Sequence, residues 1–269
     1  MFYLSKNIIY NLICTLLLTA GVQAQQKMEI WERPLQYKKE NKTVDIKKIS
    51  NLFYQTSDSF RSLDLYLPLN NMKPSSLVIM VHGGPISPNI PVKPKDWRLY
   101  QDYGRLCASK GIATAIINHR LFNERSTNDS YNDIRSALQF LKQQASAYNI
   151  DTAQITLWMF SGAAVHLQQF IADEIVEKEI CFYGVYTMDA IPSIKKNISI
   201  FLLRCGKDKA TTLASTDFLV KEILSKNMYL EVVNHPTGLH GFDILQNGIE
   251  TDIVIDKAIN FINDNYTKR

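Results

Sequence analysis

The sequence predicts a doubly wound α/β domain, a mostly parallel sheet of about eight strands with helices on both faces. Three observations carry the prediction. Apolar runs and amphipathic helical stretches alternate along the 269 residues at the spacing of βα units. Most of the runs are continuously apolar, as strands covered on both faces require. Right-handed crossovers between such strands then distribute the helices over the two sides of the sheet. A chain 46% hydrophobic and 21% charged is also not a disordered one.

The first 24 residues, MFYLSKNIIYNLICTLLLTAGVQA, place Lys6 ahead of an apolar run and end it with Val22-Gln23-Ala24, a small-x-small cleavage pattern. We read residues 1–24 as a signal peptide and residues 25–269 as a single domain, secreted or periplasmic. Asn11 interrupts the run, which falls short of the roughly 20 apolar residues of a spanning helix. No stable membrane insertion is expected after cleavage. Cys14 precedes the end of the run and is poorly placed for lipid attachment.

A polar lead extends from Gln25 to about Thr43. The predicted strands follow in order: SLDLYLPL (Ser62 to Leu69), SLVIMVHGG (Ser76 to Gly84), GIATAIINHR (Gly111 to Arg120), QITLWMFS (Gln154 to Ser161), ICFYGVY (Ile180 to Tyr186), ISIFLLRCG (Ile198 to Gly206) and MYLEVVNH (Met228 to His235). Ile134, Ala137, Leu138 and Leu141 recur at i, i+3, i+4, i+7, as do Ile255, Ala258, Ile259 and Ile262, so each set marks the inner face of a helix. Pro85, Pro88, Pro91 and Pro94 forbid a helix after the second strand and predict a stiff exposed rim. The stretch from Thr187 to Asn197 is too short for a cap domain, so the edge of the sheet should be open.

The net charge of +4 is small. Lys38, Lys39, Lys47 and Lys48 lie among acidic and polar residues without interleaved aromatics, which reads as a solvated face and not as a nucleic-acid surface. Without Cys14, three cysteines remain, an odd number that cannot all pair internally. Cys181 and Cys205 are expected at opposite ends of parallel strands, and Cys107, Cys181 and Cys205 are read as buried free thiols. No CxxC, HExxH or clustered His/Asp set points to a metal, and no cofactor is expected.

Chemistry concentrates where strands end. Ser161 lies where a buried strand meets a helix, followed by Gly162 and two alanines, a turn that lifts a hydroxyl above the carboxyl edge of the sheet. The competing reading is a helix N-cap, for which serine is favoured. A serine nucleophile needs a base and the base an orienting acid. RCGKDK puts Asp208 past one strand end, and NHPTGLHGFD puts His240 past the last strand; Asp189 and His235 are the alternatives. VHGGP brings Gly83 and Gly84 to a third strand end, where the N–H of one or the other can join that of Gly162 as an oxyanion donor pair, with His82 bracing the loop. His119 and His166 read as packed, hydrogen-bonding histidines.

The segments LDLYLP, VHGG, INHR, DIRSALQFLKQQASAYNID, ITLWMFSGA, RCGKD and HPTGLHGF, spread from Leu63 to the C-terminus, resemble those of the α/β-hydrolase superfamily. Its secreted esterase/lipase (carboxylesterase, acetyl xylan and feruloyl esterase-like) and prolyl-oligopeptidase-like branches are the nearest. The resemblance implies an α/β-hydrolase fold, Ser161 as nucleophile, Asp208 as triad acid, His240 as base and Gly83, Gly84 and Gly162 at the oxyanion hole. It also implies a small-molecule or polysaccharide-linked ester as substrate. The usual Gly-x-Ser-x-Gly elbow here carries Met159 and Ala163 in place of its glycines. That departure keeps a non-catalytic ester- or glycan-binding relative in play, and the second branch keeps a peptidase.

Overall fold

The computed structural model describes residues 28–39, 45–55, 58–69, 71–191 and 198–264. The signal-peptide reading of residues 1–24, Cys14 included, lies outside them.

One sheet of eight strands has the order β1-β2-β4-β3-β5-β6-β7-β8. Its strands are β1 (Ile46–Phe53), β2 (Ser62–Pro68), β3 (Ser75–Val81), β4 (Ala113–Ile117), β5 (Ile150–Phe160), β6 (Lys178–Phe182), β7 (Ser199–Cys205) and β8 (Tyr229–His235). β1 with β2 and β2 with β4 are antiparallel. Every later pairing, from β4–β3 to β7–β8, is parallel. Among the described residues, six helices connect or flank the strands: α1 (Arg98–Ser109), α2 (Thr127–Gln143), α3 (Leu167–Asp173), α4 (Ala210–Ser225), α5 (Phe242–Leu245) and α6 (Ile249–Asn263).

The two faces of the sheet bury two apolar cores. One joins Leu63, Ile79, Leu157 and Leu202 to α2, α3 and α4. The other joins Val78, Trp158, Phe182 and Phe201 to α1 and α6. The periodic residues of α2 (Ile134, Ala137, Leu138, Leu141) and of α6 (Ile255, Ala258, Ile259, Ile262) are all buried. Each such Leu or Ile contributes roughly 1.5–3 kcal/mol by leaving water, and that burial fixes which side of the sheet each helix covers.

At three points the structure departs from what the sequence leads one to expect. β1 was not foreseen, because IKKISNLF is mostly exposed and has neither a continuous apolar run nor strict alternation. Its register against β2 shifts between Ile49 and Leu52; there Asn51 takes a φ of +58° and its N–H donates to Asp64 Oδ1 at 2.9 Å. Lys38, Lys39, Lys47 and Lys48 are all exposed, as a solvated face requires, and Lys48 and Lys39 also pair with Asp64 and Asp256. Pro94 opens a short 3-10 turn, Pro94–Asp96, instead of an exposed rim. Pro suits the first position of such a turn because its missing N–H would have no partner there. That turn brings Lys95 inward to Asp64, 3.1 Å away. Finally, Cys181 and Cys205 lie toward the same ends of adjacent strands: Cys181 pairs in register with Leu202, and Cys205 ends β7. Both are nevertheless free and buried, as is Cys107.

Candidate active site

β5 is the central parallel strand, held between β3 and β6, and its last six residues, Ile155 to Phe160, are all buried. The chain then turns sharply. Ser161 has a φ of +51°, a left-handed conformation that costs a residue with a Cβ about 1–2 kcal/mol. It begins a 3-10 turn, Ser161–His166, without a side-chain capping bond, so the N-cap reading does not describe it. Met159 and Ala163 are fully buried in the core on the α2 side, which leaves the turn unobstructed. Both residues that replace the usual glycines therefore find room.

Close packing sets the opposite wall. A Cβ on Gly162 would stand 2.1 Å from the carbonyl oxygen of Gly84, so the two backbones touch and only glycine fits. The Gly83 N–H donates to the Tyr100 hydroxyl at 3.2 Å, which leaves Gly84 as the one to pair with Gly162 and sets Gly83 apart from the oxyanion-hole glycines that the resemblance implies. The N–H groups of Gly84 and Gly162 have no acceptor among the described residues. His82 braces this loop as expected. Its Nδ1 lies 2.7 Å from the Gly83 carbonyl, and its Nε2 accepts the His119 N–H at 3.4 Å. The His119 ring stacks on His82 with centroids 3.8 Å apart, and Ser130 Oγ bridges His119 and His166 at 2.7 and 2.8 Å. Burial pushes His82 and His166 down to about 4 and His119 well below the ordinary histidine value. The three rings form a neutral scaffold.

Asp208 and His240 come from the loops beyond β7 and β8. His240 Nε2 lies 2.7 Å from Ser161 Oγ, and His240 Nδ1 lies 2.7 Å from Asp208 Oδ2. With Nδ1–H donating to the carboxylate, Nε2 is free to accept the serine hydroxyl proton. The Asp208 side chain is 2% exposed and that of His240 is 40% exposed. The two loops are zipped together by Gly206 N–H to His235 O at 2.8 Å and Lys207 N–H to Gly238 O at 3.0 Å. Neither alternative joins them. Asp189 is exposed and only its backbone carbonyl is engaged, by Gln168. His235 is buried against Phe242, centroids 5.4 Å apart.

Sequence reasoning missed a second acid behind the histidine. Asp243 is fully buried and accepts hydrogen bonds from the Tyr103 hydroxyl at 3.0 Å and the Tyr183 hydroxyl at 3.0 Å. The Tyr183 ring packs against His240 with centroids 4.9 Å apart. Burial raises Asp243 to about 6 against the two tyrosine hydrogen bonds, which lower it. The spacing of Asp243 from His240 was visible, but nothing local marked it as buried.

Ser161 and His240 open onto a cleft of about 370 Å³. Trp97, Tyr100, Phe160 and Tyr183 supply aromatic walls, and Gly83, Gly84, Pro85 and Ile86 supply the rim foreseen from the prolines. Among the described residues the lining includes none from the connection between 187 and 191. Ile30 and Arg33 line it instead. They belong to the segment read as a polar lead, which is tied down by Leu35 N–H to Asp102 Oδ2 at 3.3 Å and Gln36 N–H to Asp243 O at 2.7 Å. Among the described residues no cluster of three or more His, Cys, Asp or Glu could hold a metal, and no helix is long and apolar enough to cross a membrane.

Comparison with known proteins agrees with this architecture. The family model described as BD-FAE matches residues 63–198, about half of the chain. A probable isoprenylcysteine alpha-carbonyl methylesterase of Oryza sativa subsp. japonica is 32% identical over 117 residues, 44% of this chain and 27% of that relative. The match thus spans about a quarter of the relative's length. Among solved structures, an inhibited esterase B from Lactobacillus rhamnosis superposes with a TM-score of 0.64 at 16% identity, covering 96% of this chain and 97% of the other. A truncated carbohydrate esterase from gut microbiota superposes with a TM-score of 0.66 at 15% identity, covering 87% and 100%. At these identities the likeness establishes the α/β-hydrolase fold.

Proposed function

Because the chain belongs to the BD-FAE family and is an esterase-like α/β-hydrolase, we propose that it is a serine carboxylic-ester hydrolase working through Ser161, His240 and Asp208. The observation that carries the proposal is the chain of two 2.7 Å hydrogen bonds from Ser161 Oγ through His240 to Asp208. It starts from a serine held in a left-handed turn.

In this reading His240 Nε2 takes the hydroxyl proton as Ser161 Oγ attacks the ester carbonyl, and Asp208 holds the imidazolium that forms. The negative charge on the carbonyl oxygen is met by the N–H groups of Gly162 and Gly84, a kind of contact worth about 3–4 kcal/mol of barrier per donor. His240 then returns its proton to the departing alkoxide, and the alcohol leaves an acyl-enzyme at Ser161. Water attacks that ester with His240 again as base, releasing the acid and restoring the serine. The chemistry calls for no cofactor. Export by the leader is part of the proposal, with small-molecule or polysaccharide-linked esters such as acetyl or feruloyl groups as substrates.

Hydrolysis of p-nitrophenyl acetate, butyrate and octanoate tests it directly, with Ser161→Ala alongside. A fall in kcat of about 10⁴-fold or more in the variant is expected, and the chain-length order gauges the acyl side of the cleft. Equal rates in both proteins, or none in either, would overturn the assignment in favour of a binding protein. A fluorophosphonate probe should label Ser161 and leave the alanine variant unlabelled.

A further inference from the structure

The geometry points to Arg33 as a carboxylate receptor in the cleft, so that the ester taken by this site carries an anionic group on its acyl or alcohol part. The inference rests on the esterase reading for turnover, but not for binding.

Arg33 is the cation in an otherwise apolar and aromatic lining, apart from His240 itself. Its Nε donates to the Met28 carbonyl at 3.4 Å. Among the described residues no carboxylate lies within ion-pair range of its guanidinium. Five other arginines of the molecule, Arg61, Arg98, Arg105, Arg120 and Arg204, each meet an aspartate. On Arg33's own segment the neighbouring Glu32 carboxylate is engaged locally, accepting the Glu29 N–H at 3.0 Å and closing the short turn from Ile30 to Glu32.

Nor does the cleft hold a negative charge that this cation would offset. Asp208 is 2% exposed and bound to His240, and Asp243 is fully buried behind Tyr183. A neutral acyl chain or a sugar hydroxyl gains little from a guanidinium, whereas a carboxylate matches its planar fork with two charged hydrogen bonds. Apolar walls strengthen that attraction relative to open water. The side chain is half-buried, and the residues just after it are pinned through Leu35 and Gln36. The charge is therefore held at the cleft and does not trail in solvent.

Two pairs of esters separate the acyl side from the alcohol side. They are 4-nitrophenyl hydrogen glutarate against 4-nitrophenyl valerate, and 4-acetoxybenzoate against 4-acetoxybenzamide. In at least one pair the ratio of kcat/KM, anionic over neutral, should fall about tenfold in Arg33→Gln, the loss of one charged hydrogen-bonded contact. It should recover in part in Arg33→Lys, shrink with added salt and stay put in Arg125→Gln, which removes a charge at an exposed site away from the cleft. A ratio indifferent to Arg33→Gln in both pairs would overturn the inference. If neither pair is hydrolysed, the esterase reading fails and calorimetry on the Ser161→Ala protein decides. Tighter binding of 4-phenylbutyrate than of 4-phenylbutan-1-ol, abolished by adding Arg33→Gln, supports an anion site, and equal binding or none refutes it.

Discussion

Ser161 rises from the middle of the sheet, whereas His240 hangs from a loop at its edge, and different physics holds the two. Around the serine the packing is close: β5 is buried between two parallel neighbours, Gly162 lies against the Gly84 carbonyl, and a neutral histidine stack backs the loop. Around the histidine more is open to solvent: the His240 side chain is 40% exposed, and three of the seven residues of β8 are exposed. The His240 loop is held by hydrogen bonds to the Asp208 loop and to Gln246 and by the buried Asp243 beneath Tyr183, added to a close backbone approach at Gly206, where a Cβ would stand 2.4 Å from the Pro236 carbonyl oxygen. The serine is thus fixed chiefly by excluded volume, and the histidine by directional bonds as well. The exposed imidazole is the half with more room to adjust.

The comparison breaks most sharply at Gly162. A Cβ there would sit 2.1 Å from a backbone oxygen, so Gly162→Ala must push the Gly84 loop away from Ser161. Esterase activity should fall about a thousandfold, as for loss of an oxyanion donor, with a lowered melting temperature. Initial rates on p-nitrophenyl butyrate and calorimetric melting check both. Near-normal rates would mean that the centre is as yielding as the edge.

A middling effect is expected at Asp243→Asn. With its carbonyl oxygen in the Oδ2 place the amide still accepts from both tyrosine hydroxyls, 3.0 and 3.1 Å away, but the NH2 in the Oδ1 place no longer accepts from Tyr183, so Tyr183 should loosen beneath His240. The expected fall in kcat lies short of the hundredfold that an ångström of misplacement costs. Stability gives an independent readout. Because folding raises this carboxyl to about 6 from an ordinary value near 3.8, its contribution is fully present below about pH 4 and is lost as pH rises through about 6. Urea midpoints from pH 4 to 7 should show that slope in the parent and a flatter one in the variant.

The smallest effect sharpens the picture of the centre. Glu179 of β6 is fully buried, and among the described residues neither of its oxygens has a hydrogen-bond partner; burial raises its carboxyl well above the ordinary value. Its neutral form is favoured in the folded state, so stability should fall as pH climbs from the unfolded value near 4.5 toward the folded one. Each pH unit in that window costs about 1.4 kcal/mol. Glu179→Gln should reduce the slope in denaturant titrations to the part that Asp243 contributes while leaving kcat unchanged, since the side chain is fully buried and does not line the cleft.

By itself the sequence determined seven of the eight strands, the buried faces of α2 and α6, and the residues that end in the hydrogen-bonded chain. These were legible because a strand buried on both faces must be apolar throughout, and because parallel strands deliver their ends to one edge. Ser161, Asp208 and His240 each follow such an end. The tertiary structure alone decided the rest. β1 escaped notice because an exposed edge strand has no apolar run to betray it. Gly83 left the donor set only once Tyr100, on a helix 17 residues away, reached its N–H. Arg33 and Asp243 entered the site through contacts across the fold: Arg33's segment is pinned 67 residues along at Asp102, and Asp243 is bonded to Tyr103, 140 residues away. Periodicity reports how a residue meets its own element and the core, whereas contacts between distant loops leave no repeating trace in the chain.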